Sequence, residues 1–120
     1  MTEVTMNIIP GGEAPCFQLV VCGQAADAPS SLPAAESTLM QALCCRLAQA
    51  GAAFLQDLAV DGVPGRGWCA VTAQPTVQGL QYVHGAFELA ALGFTLLARQ
   101  YPGCVSVQLG DGDFNGQPAA

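Results

Sequence analysis

The chain has 120 residues, of which 52% are hydrophobic and only 10% are charged, and its formal net charge is −6. This length predicts one domain with a sizeable core. Three arginines and no lysine cannot form the basic patch that phosphate binding requires, so the composition argues against a nucleic-acid-binding protein. Because charged residues normally cover a protein's surface, their scarcity predicts a homodimer rather than a monomer.

The first residues carry neither a basic leader nor a long apolar stretch, so we expect no export signal. No run reaches the roughly 18 apolar residues of a membrane-spanning helix, so we expect no membrane partner. These features favour a cytoplasmic protein whose six cysteines are reduced and mostly buried. The cysteines lack the CxxC and Cys/His spacings of zinc sites, so we predict no metal and no cofactor.

In chain order, the first predicted elements form a β-hairpin. Residues 2–9 alternate apolar and polar side chains and predict a half-buried strand. A Pro-Gly-Gly turn then leads into a second strand over 16–22, which is rich in β-forming residues. After Gly23, residues 25–33 contain Asp, Ser and two prolines, and this composition predicts a loop.

Two helices and two further strands follow. Apolar residues at three- and four-residue spacing predict a helix over 34–52 and a longer one over 77–101. Gly93 lies inside the second helix, where glycine is unfavourable unless a neighbouring element packs closely. A turn is predicted over 61–67, a third strand over 68–73 and a fourth over 104–109.

The predicted order is therefore β-β-α-β-α-β. It indicates an α+β domain with two layers, in which two helices lie on one face of a four-stranded, mostly antiparallel sheet. We predict one domain over residues 1–109 and a flexible tail over 110–120, which is rich in Gly and Asp.

The end of the second strand and the start of the first helix form the candidate site. Backbone N–H groups at a helix N-terminus are unpaired, and the helix dipole is positive there. We expect Glu36 in the first helical turn, where the dipole favours an acidic residue. The residues expected to form a peptide-binding loop are Gly23, Gln24, Ala25, Ser30, Ser31, Glu36 and Ser37.

Two segments carry a resemblance to a known family. Residues 17–25 read Phe-Gln-Leu-Val-Val-Cys-Gly-Gln-Ala, and residues 93–102 read Gly-Phe-Thr-Leu-Leu-Ala-Arg-Gln-Tyr-Pro. They resemble the ribosomal-processing cysteine protease (Prp) family, in which a strand ends in Gly-His-Ala and a late helix ends in a Gly-Leu-x-x-Leu…Tyr-Pro pattern. Between these segments, the family's first helix opens with Asp-x-Val-Cys-Ala-Ala-x-Ser. The resemblance extends to about Leu109 and implies a dimeric protease that trims the N-terminal extension of a ribosomal protein.

The resemblance also shows what the chain lacks. It sets Gln24 in the place of the family's catalytic histidine and Ser37 near the place of its catalytic cysteine, with Glu36 and Thr38 as neighbouring choices. The family's helix serine falls on Gln41. Glutamine does not take up a proton near neutral pH, and serine without a base is a weak nucleophile. The resemblance therefore implies a degenerate, non-catalytic homologue that acts as a dimeric binding or regulatory domain, with a ribosomal protein as partner.

Two alternatives stay open. The first is an active peptidase of cysteine or serine type with a shifted site, in which His84 assists Ser37 or Cys22. Against it, Cys22 ends a buried strand and is expected to be an inert core thiol. The second alternative is an accessory or assembly protein of a phage or mobile element, which would bind phage proteins instead of ribosomal ones.

Overall fold

The computed structural model of the protein describes residues 1–23, 29–63 and 67–109. The elements in these residues are β1 (Thr2–Ile9), β2 (Cys16–Cys22), α1 (Ser31–Ala48), β3 (Leu55–Val63), β4 (Trp68–Pro75), α2 (Leu80–Gln100) and β5 (Val105–Leu109). The two strands predicted first have the predicted bounds. Residues 110–120, predicted as a flexible tail, and residues 64–66 of the predicted turn lie outside the described residues.

The strands form one mixed sheet in the order β3-β4-β2-β1-β5. The predicted hairpin is present, with Met6 of β1 opposite Leu19 of β2. β5 runs parallel to β1, with Val105 opposite Thr2. A parallel neighbour requires a crossover connection, and α2 supplies it. The α+β class is confirmed, but the prediction of four strands in a β-β-α-β-α-β order was wrong.

The strand missing from the prediction is β3, at the edge of the sheet. Only Leu55 and Leu58 are half-buried in it, so it lacks the alternation by which a strand is recognised in sequence. Its last residues include Asp61 and Gly62, which were predicted as a turn. Gly62 has a φ of +77° within the strand. Backbone pairing with β4, rather than burial of side chains, holds this segment in place.

The first helix begins earlier than predicted, at Ser31 instead of residue 34. Pro33 was treated as part of the loop, but it is the third residue of α1. Proline is tolerated in the first helical turn because the N–H that it lacks has no partner inside the helix there. Because α1 begins early, every later residue of the helix lies further from its N-terminus than the sequence pattern predicted.

The core lies between the sheet and both helices. Alternate residues of the central strands, such as Val4, Leu19 and Val71, form one hydrophobic cluster with side chains of α1 and α2. Both helices therefore cover the same face of the sheet. The largest fully buried side chains include Phe17, together with Phe87 of α2. None of the helices in the described ranges is long and apolar enough to cross a membrane.

The two helices pack against each other in opposite directions. Three contacts define their alignment, joining Ser31 to Tyr101, Leu39 to Gly93 and Arg46 to Tyr82. At the middle contact, a Cβ atom added to Gly93 would lie 2.7 Å from Cδ2 of Leu39. The predicted close approach at Gly93 is therefore present, and the neighbour is α1.

The other face of the sheet carries neutral polar side chains. The Asn7 amide donates a hydrogen bond of 3.2 Å to the Gln18 amide oxygen, and the Gln18 amide donates one of 3.2 Å to the Thr72 hydroxyl. These cross-strand bonds join β1, β2 and β4 on their second face. Glu3 and Asp61 lie on the same face, so this side of the sheet combines neutral polar groups with a few carboxylates.

The tight contact at Gly93 can be tested against Gly85, which lies in the same helix with nothing within 4 Å of an added Cβ. Gly85→Ala should raise the free energy of unfolding by about 1 kcal/mol through helix propensity. Gly93→Ala has the same propensity gain, but overpacking against Leu39 costs about 1–3 kcal/mol. We expect its net effect to lie between zero and about 2 kcal/mol of destabilisation.

Urea denaturation at one dilute protein concentration measures both variants. In a Leu39→Ala background the clash is removed, so Gly93→Ala should then stabilise the protein as Gly85→Ala does. Equal stabilisation by both alanines in the wild-type background would show that the helices are not closely packed at this point.

Candidate functional site

The candidate site lies where the beginning of β1, the end of β2 and the start of α1 meet. Glu3 of β1 is opposite Cys22 of β2, so the beginning of β1 lies beside the end of β2. Two backbone hydrogen bonds close this edge of the fold. The Gly23 N–H donates to the Gly67 carbonyl over 2.7 Å, and the Thr2 N–H donates to the Cys104 carbonyl over 2.8 Å.

Gly23 is the turn residue of this site, and its conformation requires glycine. Its φ is +90°, which side chains with a Cβ rarely adopt. In addition, a Cβ at this position would lie 2.6 Å from the Met1 carbonyl oxygen. The turn after β2 is therefore held against the first residue of the chain. Gln24 and Ala25, both predicted site residues, lie outside the described residues.

The start of α1 is attached to the end of α2. The Ser31 hydroxyl forms a hydrogen bond of 2.8 Å with the Tyr101 hydroxyl, so Ser31 serves as a helix-to-helix contact. Ser30, the N-cap residue, makes no side-chain capping bond among the described residues. No sequence pattern indicates that the Tyr101 hydroxyl finds a partner 70 residues away in the chain.

Ser37 lies in the second turn of α1. It follows Ser31 by six residues, or about 9 Å along the helix axis. Its hydroxyl oxygen accepts a hydrogen bond of 2.8 Å from the Gln41 side-chain amide. An amide donor cannot take up the serine proton, so this contact does not activate Ser37 as a nucleophile. The influence of the helix dipole also fades after the first turn.

Glu36 is a core residue, in contrast to the two expectations placed on it. α1 has no acidic residue in its first turn, and Glu36 is only 7% exposed, so it is turned away from any peptide in solution. Burial raises the pKa of its carboxyl group, and a hydrogen bond with the Thr2 side chain partly opposes this shift. Its Oε2 atom has no hydrogen-bond partner in the described part of the chain.

His84 lies far from the candidate site. Its ring lies beside Phe17 with 5.4 Å between ring centroids, and its Nδ1 atom is 3.2 Å from a carboxylate oxygen of Glu88. Phe17 stands near the start of β2, whereas Gly23 follows its end. Six residues of extended strand separate the two positions by about 20 Å.

The same distance argument separates His84 from both nucleophiles of the shifted-site hypothesis. In the antiparallel helix pair, Ser37 lies level with about residue 95, which places His84 about 16 Å further along α2. Cys22 lies five strand residues from Phe17, or about 17 Å. A base acts only within hydrogen-bond reach of the proton it takes. This arrangement therefore gives no support to a peptidase built on His84.

The cysteines differ from their expected burial. Among the described residues only Cys69 is buried, whereas Cys22 and Cys45 are exposed and the other three are intermediate. The expectation that Cys22 is a core thiol was wrong because its side chain falls on the open face of the sheet. Desolvation raises the pKa values of the Cys16, Cys44 and Cys69 thiols, which disfavours the reactive thiolate at these positions.

No three His, Cys, Asp or Glu side chains within the described ranges lie close enough to hold a metal ion. The described residues at the site can form hydrogen bonds. The groups available are backbone amides at the start of α1, the paired hydroxyls of Ser31 and Tyr101, and the Gly23 turn.

Comparison with known proteins relates this architecture to solved structures. No protein-family model matches the chain, and the search of curated proteins gives no match. The essential ribosomal processing protease Prp from S. aureus, in complex with a substrate peptide, superposes with a TM-score of 0.64 and 8% identity. That match covers 91% of this chain and 99% of the other.

Two further structures show the same fold. Prp from S. aureus with a covalently linked product peptide gives a TM-score of 0.62 at 11% identity, covering 91% of this chain and 99% of that one. SMU.848 from Streptococcus mutans gives 0.61 at 22% identity, covering 92% and 94%. The resemblance to the Prp fold that the sequence predicted is confirmed over most of the chain.

The buried carboxyl group of Glu36 predicts a pH-dependent stability. Because its pKa is raised in the folded protein, the native state binds the proton more tightly than the unfolded state. Its contribution to stability is therefore full below about pH 4.3, the ordinary pKa of glutamate, and is lost as the pH rises through the raised value. Glu36→Gln removes this titration, so the variant should gain stability relative to wild type as the pH increases.

The measurement is urea denaturation of both proteins from pH 4 to pH 8. Glu13, an exposed glutamate changed to Gln, is the matched control for the loss of a surface carboxyl group. A raised pKa would be contradicted if the difference in stability between wild type and Glu36→Gln stayed constant over this range. It would also be contradicted if the wild type became the relatively more stable protein as the pH increased.

Proposed function

We propose that this protein is a catalytically degenerate homologue of the Prp proteases that binds a peptide segment without cleaving it. One observation carries the proposal: the Gly23 turn and the start of α1 are present, and within the described residues the hydrogen bond of the Ser37 hydroxyl is with the Gln41 amide, which is not a base. The S. aureus structures of the same fold hold a substrate peptide and a product peptide, which makes a peptide the expected ligand class. The family resemblance also implies a cytoplasmic location.

The observed helix start suggests a different alignment of the family's cysteine. The motif Asp-x-Val-Cys-Ala-Ala-x-Ser fits residues 30–37 when its two alanines fall on Ala34 and Ala35 and its serine falls on Ser37. The cysteine place is then taken by Pro33, in the first turn of α1. This alignment agrees better with the chemistry, because a thiolate is stabilised at a helix N-terminus and not in the second turn. On either alignment the chain supplies no thiol.

The two alternatives differ in what they require. A peptidase with a shifted site needs a base near Ser37 or Cys22, and His84 lies about 16 Å or more from both along the elements that carry them. An accessory protein of a phage or mobile element shares the absent dyad, and no contact in the described residues favours it. A pull-down that enriches ribosomal proteins supports the first proposal, and one that enriches capsid or other assembly proteins supports this alternative.

A peptide spanning the N-terminal extension of the ribosomal protein tests binding and cleavage together. We expect saturable binding by fluorescence anisotropy and no cleavage product by mass spectrometry. Ser37→Ala should weaken binding by about tenfold at most, since it removes a single hydroxyl group from the candidate site. Turnover that is lost in Ser37→Ala would contradict the proposal, and so would the absence of any binding.

Restoring the dyad distinguishes the two alignments. In a Gln24→His background, the thiol introduced by Pro33→Cys should react with iodoacetamide at pH 6 at least about tenfold faster than the thiol introduced by Ser37→Cys. The reason is that the helix N-terminus lowers the pKa of a thiol only in the first turn. Site-resolved mass spectrometry separates these thiols from the six native cysteines. Faster labelling at position 37 would support the original alignment instead.

A further inference from the structure

One corner of the open face of the sheet, on the side away from the helices, carries an exposed tryptophan between acidic residues. A row of residues opposite one another crosses β1, β2, β4 and β3, and it is formed by Glu3, Cys22, Trp68 and Val63. All four are exposed, Trp68 to 45%. Asp61 lies two residues before Val63 on the same face of β3. These five residues are here called the Trp68 corner.

The indole ring of Trp68 packs on the backbone of the edge strand. A Cβ atom added to Gly62 would lie 2.6 Å from Cε3 of the ring, so the ring occupies the space that a side chain would need. This contact restricts the ring before any ligand binds, and less conformational entropy is then lost on binding. Tryptophan is also among the residues that contribute most to protein interfaces. The exposed part of the ring is therefore suited to hold a ligand.

Two carboxylates lie on either side of the ring. Asp61 is a diagonal neighbour of Trp68 across the β3–β4 pair, at a distance of about 7–8 Å. Glu3 stands two strands away in the other direction, or about 10 Å. A cation above the ring is attracted both by the negative face of the indole and by these carboxylates. The Trp68 corner thus favours a positively charged occupant.

The described residues of the chain supply no such cation on this face. The chain has no lysine, and Arg46 and Arg99 lie on the helices, which cover the other face of the sheet. Arg66 lies outside the described residues. A second copy docked through the same corner would set carboxylates against carboxylates, because a two-fold interface pairs a patch with itself. The charge therefore selects a different, basic protein.

We propose that the Trp68 corner binds an arginine side chain in an extended segment of a partner protein. A guanidinium group is planar, so it can stack on the indole ring while its N–H groups donate to a neighbouring carboxylate. The methylene stem of the arginine can lie along the exposed Val63 side chain. Lysine has a compact, strongly hydrated charge and lacks the planar stacking surface.

This inference goes beyond the proposal that a peptide binds at the candidate site. The Trp68 corner lies on the open face of the sheet, whereas α1 lies on the opposite face. Failure of either proposal leaves the other standing. The two experiments are also distinguishable, since one follows a peptide through the start of α1 and the other follows the fluorescence of Trp68.

The fluorescence of Trp68 reports binding at this corner directly, because it is the single tryptophan of the chain. The full chain is titrated at low ionic strength with the peptide acetyl-Gly-Arg-Gly-Arg-Gly-amide. We expect a saturable change in the emission, which added salt weakens. The control peptide carries citrulline in place of arginine, which keeps the shape of the side chain but removes its charge, and it should produce no saturable change.

Variants test the two parts of the corner separately. Glu3→Gln combined with Asp61→Asn should weaken binding by about three- to tenfold. The matched control removes the same charge elsewhere, through Glu13→Gln combined with Glu88→Gln at two exposed glutamates, and should weaken it by less than about twofold. Trp68→Leu should weaken binding of a fluorescein-labelled arginine peptide, measured by anisotropy, by about two- to fivefold.

Circular dichroism establishes that each variant is folded. An emission spectrum that the arginine peptide leaves unchanged would overturn the proposal, and so would equal effects of the arginine and citrulline peptides. Equal weakening by the two double variants would show general attraction to an acidic protein instead of a site. Binding by Trp68→Leu as tight as that of wild type would also overturn the proposal.

Discussion

The contact between Gly93 and Leu39 is the constraint on which the rest of the arrangement depends. Because a side chain at position 93 would overlap the Leu39 methyl groups, α1 and α2 approach each other more closely than two helices with larger residues at the contact. This approach lets both helices share one face of the sheet and one hydrophobic cluster. It also fixes which residue of α1 stands beside which residue of α2, and the remaining contacts of the helix pair follow from that alignment.

The chemistry at the candidate site follows from this alignment. With Leu39 beside Gly93, Ser31 meets Tyr101, and the start of α1 is anchored at the end of α2. The same alignment keeps His84 several turns away from Ser37, beside the ring of Phe17. The packing that positions the start of α1 thus also separates the single histidine of the chain from the candidate site. Backbone donors and hydroxyl groups are arranged at the site, and the described residues bring no base to it.

Local patterns predicted β1, β2 and the buried face of α2, because the spacing of apolar residues in these segments follows directly from which side chains are buried. The close approach at Gly93 could be predicted because glycine is unfavourable inside a helix unless packing requires it. The start of α1 and the edge strand β3 could not be found in this way. Pro33 is compatible with both a loop and a first helical turn, and β3 depends on backbone pairing with β4. The burial of Glu36 beside Thr2 is a tertiary contact between residues far apart in sequence, which no local pattern records.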